Sequence, residues 1–192
     1  MMANFINTIE LLGDTATAGA LVSRTITEFN DDVLTSALNR SFADCNILTS
    51  IDLPNVTSIE DYAFFYCDAL ASVNIPNVTS IGTNAFRHCP PLTNVNMPNV
   101  TTIGDDAFRE CEALASVNIP NVTSIGSNAF YGAKVASVRL PATPPTLGST
   151  MVFADAISAC VFYIPTGSLA AYQNATNWSS LTSEYSFVEE DR

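Results

Sequence analysis

Positive charge is what this sequence has least of. Seven Lys and Arg residues stand against nineteen Asp and Glu, leaving a formal charge of −12 and a pI near 4.1, and the few cations are scattered rather than clustered. Phosphate backbones and anionic membrane surfaces repel such a chain, so nucleic acid is not an expected partner. Histidine is scarcer still: His88 stands alone, and general acid–base chemistry near neutral pH has little else to draw on. No run reaches the eighteen or so apolar residues that a membrane-spanning helix needs, and no membrane insertion is expected. Met1 to Val22 carry no basic residue, and Glu10 and Asp14 interrupt their apolar stretches, which makes a poor secretory signal. Apolar residues are what the chain does have. At 47% hydrophobic and 14% charged over 192 residues it reads as one folded unit with a substantial core.

Self-similarity organises that apolar content. Asn-Val-Thr-Ser/Thr-Ile recurs from Asn55, Asn77, Asn99 and Asn121 at a constant spacing of 22, the mark of a tandem repeat. Phe42, Phe64, Phe86, Phe108 and Phe130 form one column of the repeat. Pro54, Pro76, Pro98, Pro120 and Pro141 form another, its last step one residue short.

Spacing inside the unit suggests its local structures. After Leu70 the alternation has period two, so Val73 and Ile75 point inward and Ser72 and Asn74 outward, as a short strand requires. Pro76 ends that strand because it donates no ladder hydrogen bond. Val78 and Ile81 return to the core on the opposite wall, with Gly82 allowing a tight corner. Asn84, Asp106 and Asn128 precede Ala-Phe-x-x-Cys, where a side-chain oxygen would cap a single helical turn that puts Phe86 and Cys89 on one face. No 22-residue unit buries so two-sided an apolar set alone, and stacked neighbours do, so a solenoid follows.

The unit Leu-x-x-Val-x-Ile-Pro-x-x-Val-x-x-Ile-Gly-x-x-Ala-Phe-x-x-Cys resembles the BspA-type, or Treponema-type, leucine-rich repeat over roughly residues 36 to 165. The resemblance implies a right-handed, β-rich α/β leucine-rich-repeat solenoid. Short parallel strands would line the concave wall, with turns and single helical turns elsewhere and a cap at each end. Residues 1–35 read as an N-terminal segment and cap strand, 36–147 as five 22-residue repeats, and 148–192 as a terminal coil and C-terminal capping helix. Arg24 to Phe29 alternates like an edge strand, with Glu28, Asp31 and Asp32 discouraging further pairing. Residues 1 to about 20 fit no repeat and suit an attachment segment or a loose cap. At the far end the array breaks at Gly132-Ala133-Lys134-Val135, Val161 to Pro165 reads as a last strand, and Gly167-Ser168 opens an N-capped helix with Leu169 and Tyr172 on one face. This tail, through Trp178, is similar to the closing segment of BspA-type arrays and is expected to cover the open core.

Several features look like chemistry and have plainer readings. Cys45, Cys67, Cys89 and Cys111 fall one per coil, roughly 5 Å apart and within disulfide range. Stacked parallel residues point the same way, however, and collinear thiols cannot build the tetrahedron that zinc needs. Free, buried thiols acting as small apolar residues are expected, with Cys160, outside the ladder, the most reactive. His88 shares a variable, outward column with Tyr66 and Glu110, and no third residue orients a His88–Cys89 pair for nucleophilic catalysis. Gly82, Gly104 and Gly126 never cluster into a phosphate loop. Asp61 and Asp105 share a column but lie two coils apart, roughly 10 Å, too far to hold one calcium ion. The Asn-x-Thr sequons suit turn chemistry. No catalytic residue, metal or cofactor is expected.

The outward residues of the strand wall are the expected ligand surface: Ser50 and Asp52, Ser72 and Asn74, Asn94 and Asn96, Ser116 and Asn118, Ser137 and Arg139. They are small, polar and nearly neutral, whereas most carboxylates fall on corners and turns. The wall offers on the order of 400 Å², against about 800 Å² per partner in a standard interface, so binding should be weak and multivalent. BspA-type repeats are common in adhesins of mucosal bacteria. The resemblance therefore implies a non-enzymatic module, extracellular or on the bacterial cell surface, that binds protein or glycan. The alternative is a structural or receptor-binding component of a larger assembly such as a phage tail, attached through residues 1–30, which the poor export signal favours.

Overall fold

The computed structural model describes residues 28–30, 36–37, 39–155 and 160–191. The unmatched stretch 1 to about 20, with most of the expected N-terminal edge strand, lies outside them. Each 22-residue unit makes one coil of a parallel-strand solenoid. Among the described residues the strands form two sheets. The first runs β1 (Glu28–Asn30), β3 (Ser50–Asp52), β5 (Ser72–Asn74), β7 (Asn94–Asn96), β9 (Ser116–Asn118), β11 (Ser137–Arg139), β13 (Val161–Pro165) and β14 (Ser186–Glu190). The second is built of two-residue strands: β2 (Ser36–Ala37), β4 (Ser58–Ile59), β6 (Ser80–Ile81), β8 (Thr102–Ile103), β10 (Ser124–Ile125) and β12 (Thr146–Leu147). Pairing is in register by column, Ile51 with Val73, Val73 with Val95, and Ile59 with Ile81.

Stacking by column puts like on like through the core. The Phe42, Phe64, Phe86, Phe108, Phe130 and Phe153 rings follow one another at 5.0, 5.1, 5.2, 5.3 and 5.3 Å between centroids, within 8° of parallel. That is an offset stack spaced by the coil rise. Pro76 does more than end a strand. The Val78 N–H donates to the Ile75 carbonyl, so Pro76 sits at the second position of a β-turn, where its fixed φ is already correct.

Two local expectations are corrected. The segments before the cysteines are turns, not helical turns. Tyr62 and Tyr66, Asn84 and His88, Asp106 and Glu110, and Asn128 and Gly132 all have positive φ, which a right-handed helix cannot accommodate. Alternate N–H groups leave the coil: Tyr62, Phe64 and Tyr66 donate to the Thr83, Ala85 and Arg87 carbonyls of the next coil at 2.9, 2.7 and 2.9 Å. With those donors already used, Asn84 and Asp106 cap nothing. Their Oδ1 atoms accept from Arg87 Nη1 at 3.3 Å and Arg109 Nη1 at 3.0 Å instead.

The glycines are not corner residues chosen for φ either. A Cβ built on Gly82, Gly104, Gly126 or Gly148 would stand 2.4–2.7 Å from backbone of the preceding coil. The column is glycine because two coils touch there.

The C-terminal segment closes the stack as expected. It holds β13, α1 (Leu169–Asn174) and α2 (Trp178–Glu184); Phe162 and Trp178 are fully buried against Phe153, and the fully buried Tyr172 packs on Trp178. Each polar aromatic keeps a partner: Trp178 Nε1 donates to the Pro145 carbonyl at 2.7 Å and the Tyr172 hydroxyl to the Pro141 carbonyl at 2.7 Å. Ser168 does not cap α1. Its hydroxyl turns back to the Pro165 carbonyl, and the Leu169 N–H is met by Glu189 of β14 at 2.9 Å.

The glycine contact is directly testable. Gly104→Ala places a Cβ 2.7 Å from the Gly82 carbonyl carbon and the Thr83 nitrogen, and overpacking of this kind costs about 1–3 kcal/mol. The urea midpoint should fall accordingly; an unchanged midpoint would show that the coils are not in contact there.

Candidate functional site

Three outward faces are available, and their side chains are used differently. On the strand wall, Ser72, Asn74, Asn94, Asn96, Ser116, Asn118 and Arg139 are exposed, and Ser50, Asp52 and Ser137 are half-buried. The sheet brings them together in two rows, from Ser50 to Ser137 and from Asp52 to Arg139, each in parallel register. Both ends of the second row are already engaged. Asn74 Nδ2 donates to Asp52 Oδ1 at 2.8 Å. Arg139 lies 4.9 Å over the Tyr163 ring and pairs with Glu190 at 3.0 Å. Tyr163 and Glu190 extend this wall. Neither was readable as part of it, because the step from β11 to β13 departs from the 22-residue spacing.

On the second wall, the Asn-x-Thr sequons are structural ladders. Asn77, Asn99 and Asn121 donate from Nδ2 to the Pro54, Pro76 and Pro98 carbonyls at 2.6, 2.9 and 2.8 Å. Thr79, Thr101 and Thr123 hydroxyls donate to the Thr57, Thr79 and Thr101 carbonyls at 3.1, 3.0 and 3.0 Å. Asp61 and Asp105 act between coils as well, their Oδ1 atoms accepting the Thr83 and Ser127 N–H groups at 2.7 and 2.6 Å.

The turn face carries the aromatic and basic residues. Tyr62, Phe65 and Tyr66 rings touch in sequence at 5.3 and 4.5 Å, and His88 of the next coil lies 4.4 Å from Tyr66. Arg40 stands 4.6 Å over Tyr62 and Arg109 5.0 Å over Tyr131. His88 Nδ1 lies 3.4 Å from Glu110 and Nε2 3.9 Å from Asp68. Burial of Glu110 works against its ionisation, but hydrogen bonds from Arg109 and His88 outweigh it and hold the carboxyl below the usual range. Bonding to Asp106 raises the Arg109 guanidinium. His88 and Cys89 do not form a catalytic pair: the Cys89 thiol turns inward to the Phe64 carbonyl at 3.3 Å.

All five cysteines are free and buried. Cys67, Cys89 and Cys111 donate to the Phe42, Phe64 and Phe86 carbonyls, and desolvation raises the Cys89 thiol well above its ordinary value. Cys160, expected to be the reactive one, is 1% exposed, and burial pushes its thiol up to about 11. Lying outside the ladder did not expose it. Among the described residues no group of three or more His, Cys, Asp and Glu side chains is arranged to hold a metal ion, and no helix is long and apolar enough to cross a membrane. A pocket of about 200 Å³ at the C-terminal cap is lined by Met151, Leu181, Glu184 and Tyr185 among others. It lies far along the chain from His88.

The profile of the BspA type leucine rich repeat region matches residues 34–183 in six copies. A leucine-rich cell surface protein from Faecalibacterium prausnitzii A2-165 is similar in structure, with a TM-score of 0.57 and 25% identity over 72% of this chain and 47% of its own. The pneumococcal vaccine antigen PcpA has a TM-score of 0.57 at 16% identity over 82% of this chain and 45% of its own, which shows a shared fold. The chain thus spans less than half the length of either protein. No curated protein matches the sequence.

Thiolate is the reactive form, so none of the five thiols should react with a maleimide at pH 8 in the native protein, and all five should react in denaturant. Native labelling of Cys160 would contradict the burial described here.

Proposed function

Since the chain belongs to the BspA-type leucine-rich repeat family, we propose that it is a non-enzymatic binding module of the bacterial cell surface, adhesin-like, recognising protein or glycan. The observation that carries this reading is the division of labour among its side chains. The thiols are spent in the core, the Asn, Thr and Asp ladders hold coil to coil, and what remains outward is an extended, shallow surface rather than a converging polar cleft. Such a surface binds; it lacks the positioned nucleophile, base and oxyanion donors of a catalytic centre. The structural likeness to a leucine-rich cell surface protein at 25% identity supports the location. The likeness to the pneumococcal antigen contributes the fold alone.

The strand-wall rows from Ser50 and Asp52 to Ser137 and Arg139 are one contact surface of this module. Their small polar side chains contain no buried anchor, and interface energy concentrates in such anchors. Binding through this wall alone is therefore micromolar or weaker for one chain and gains strength through multivalency.

Purified protein tested on an array of extracellular matrix proteins and mucosal glycans should bind a subset of them. A variant carrying Asn74→Arg, Asn96→Arg and Asn118→Arg should lose the contacts made by the strand wall. Binding by neither protein would overturn the adhesin reading in favour of a structural component of a larger assembly engaged through residues 1–30.

A further inference from the structure

The columns of the repeat are of two kinds. Those on the strand wall carry much the same residue on every rung, Asn74, Asn96 and Asn118 being one example. A wall that repeats at each coil offers a ligand equivalent positions one coil apart and defines no unique one. The turn-face columns do not repeat. One runs Phe65, Arg87, Arg109, Tyr131, and its neighbour runs Asp44, Tyr66, His88, Glu110. Here the residue type changes along the stack, and the types include those that dominate binding energy at protein interfaces.

Resting on the reading of the chain as a binding module, we propose that the turn face is its specificity-determining surface and that the partner is a Lys- and Arg-rich segment of another protein. The centre of the face is the run of touching rings Tyr62, Phe65, Tyr66 and His88, spread over two coils. All four are half-buried, and Arg40 already stands over the Tyr62 ring. Beside them stand the carboxylates of Asp68, with half of its side chain exposed, and Glu110. An incoming ammonium or guanidinium group finds a ring face within reach of a carboxylate, and both attract it.

The fold already makes this contact with its own cations. Arg40 lies over Tyr62, Arg109 over Tyr131 and Arg139 over Tyr163, at 4.6, 5.0 and 4.9 Å. Arg109 is further held by Asp106 and Glu110, so it offers little to an anionic ligand. Charge decides among the possible occupants. At −12 overall the chain repels acidic glycans and a second copy of itself and attracts a basic partner.

The test titrates fluorescein-labelled hexa-arginine into the full chain at 150 mM NaCl, with hexa-glutamate and a heparin-derived hexasaccharide as comparison probes. Hexa-arginine should bind and the other two should not. Phe65→Ala should weaken binding about tenfold, as loss of an interface anchor does. Asp68→Asn, a change at an exposed side chain that leaves the fold intact, should weaken it several-fold. Absence of hexa-arginine binding, undiminished binding by both Phe65→Ala and Asp68→Asn, or preference for the hexasaccharide would overturn the assignment. Array binding that survives Phe65→Ala and Asp68→Asn would overturn this face while leaving the binding-module reading standing.

Discussion

Everything in this molecule depends on one translation: each coil lies on the last so that a residue meets its counterpart 22 positions away. That spacing turns a phenylalanine into a column of rings about 5 Å apart and a serine or asparagine into a row. It also explains the glycine column, where the approach of two backbones leaves no room for a Cβ. The left-handed residues of the turn face follow from the same contact. Conformations of this kind cost of order 1–3 kcal/mol each at residues such as Tyr66 and His88, and they persist where surrounding bonds over-determine them. The N–H groups of both residues are fixed to carbonyls of the next coil.

A stack held by its neighbours has a problem at its ends. The C-terminal end solves it by changing chemistry rather than by adding another repeat. Trp178 packs against Phe153 and Phe162 and Tyr172 against Trp178, and their polar tips satisfy carbonyls of the last coil. After the two short helices the chain returns to the first sheet as β14, pairs with β13 from Val161 to Pro165, and lends Glu189 to the start of α1.

Much of this was legible in the sequence because columns of a repeat report directly on stacking. The Phe, Pro and Cys columns, the inward alternation at Val73 and Ile75, and the closing aromatic segment all follow from spacing and apolar content. Backbone geometry was harder to read where one pattern serves two conformations. Phe86 and Cys89 are three apart and both buried in a helical turn or in the observed turn, and only the donors reaching the next coil distinguish them. Gly82 suits a bend or a close approach equally well. β14 was missed because Ser186–Glu190 ends in two glutamates and lies beyond the last repeat. Cys160 was misjudged because a position outside the repeat columns carries no spacing signal for burial, and it is buried all the same. The turn face went unnoticed because variable columns were read as solvent-facing, although they hold rings and guanidinium groups that the strand wall carries only at its Arg139–Tyr163 end.

The same translation sets repeated columns on the strand wall beside variable ones on the turn face. The account therefore stands or falls on whether the coil is the unit of structure. Deleting residues 93–114, one full coil, and measuring urea unfolding by far- and near-ultraviolet circular dichroism tests this most directly. A cooperatively folded chain with native-like aromatic signal is the predicted result, with deletion of 93–103, half a coil, leaving the chain unfolded because the residues on either side of the junction no longer meet their counterparts. Loss of the fold in both deletions to the same extent would contradict the account.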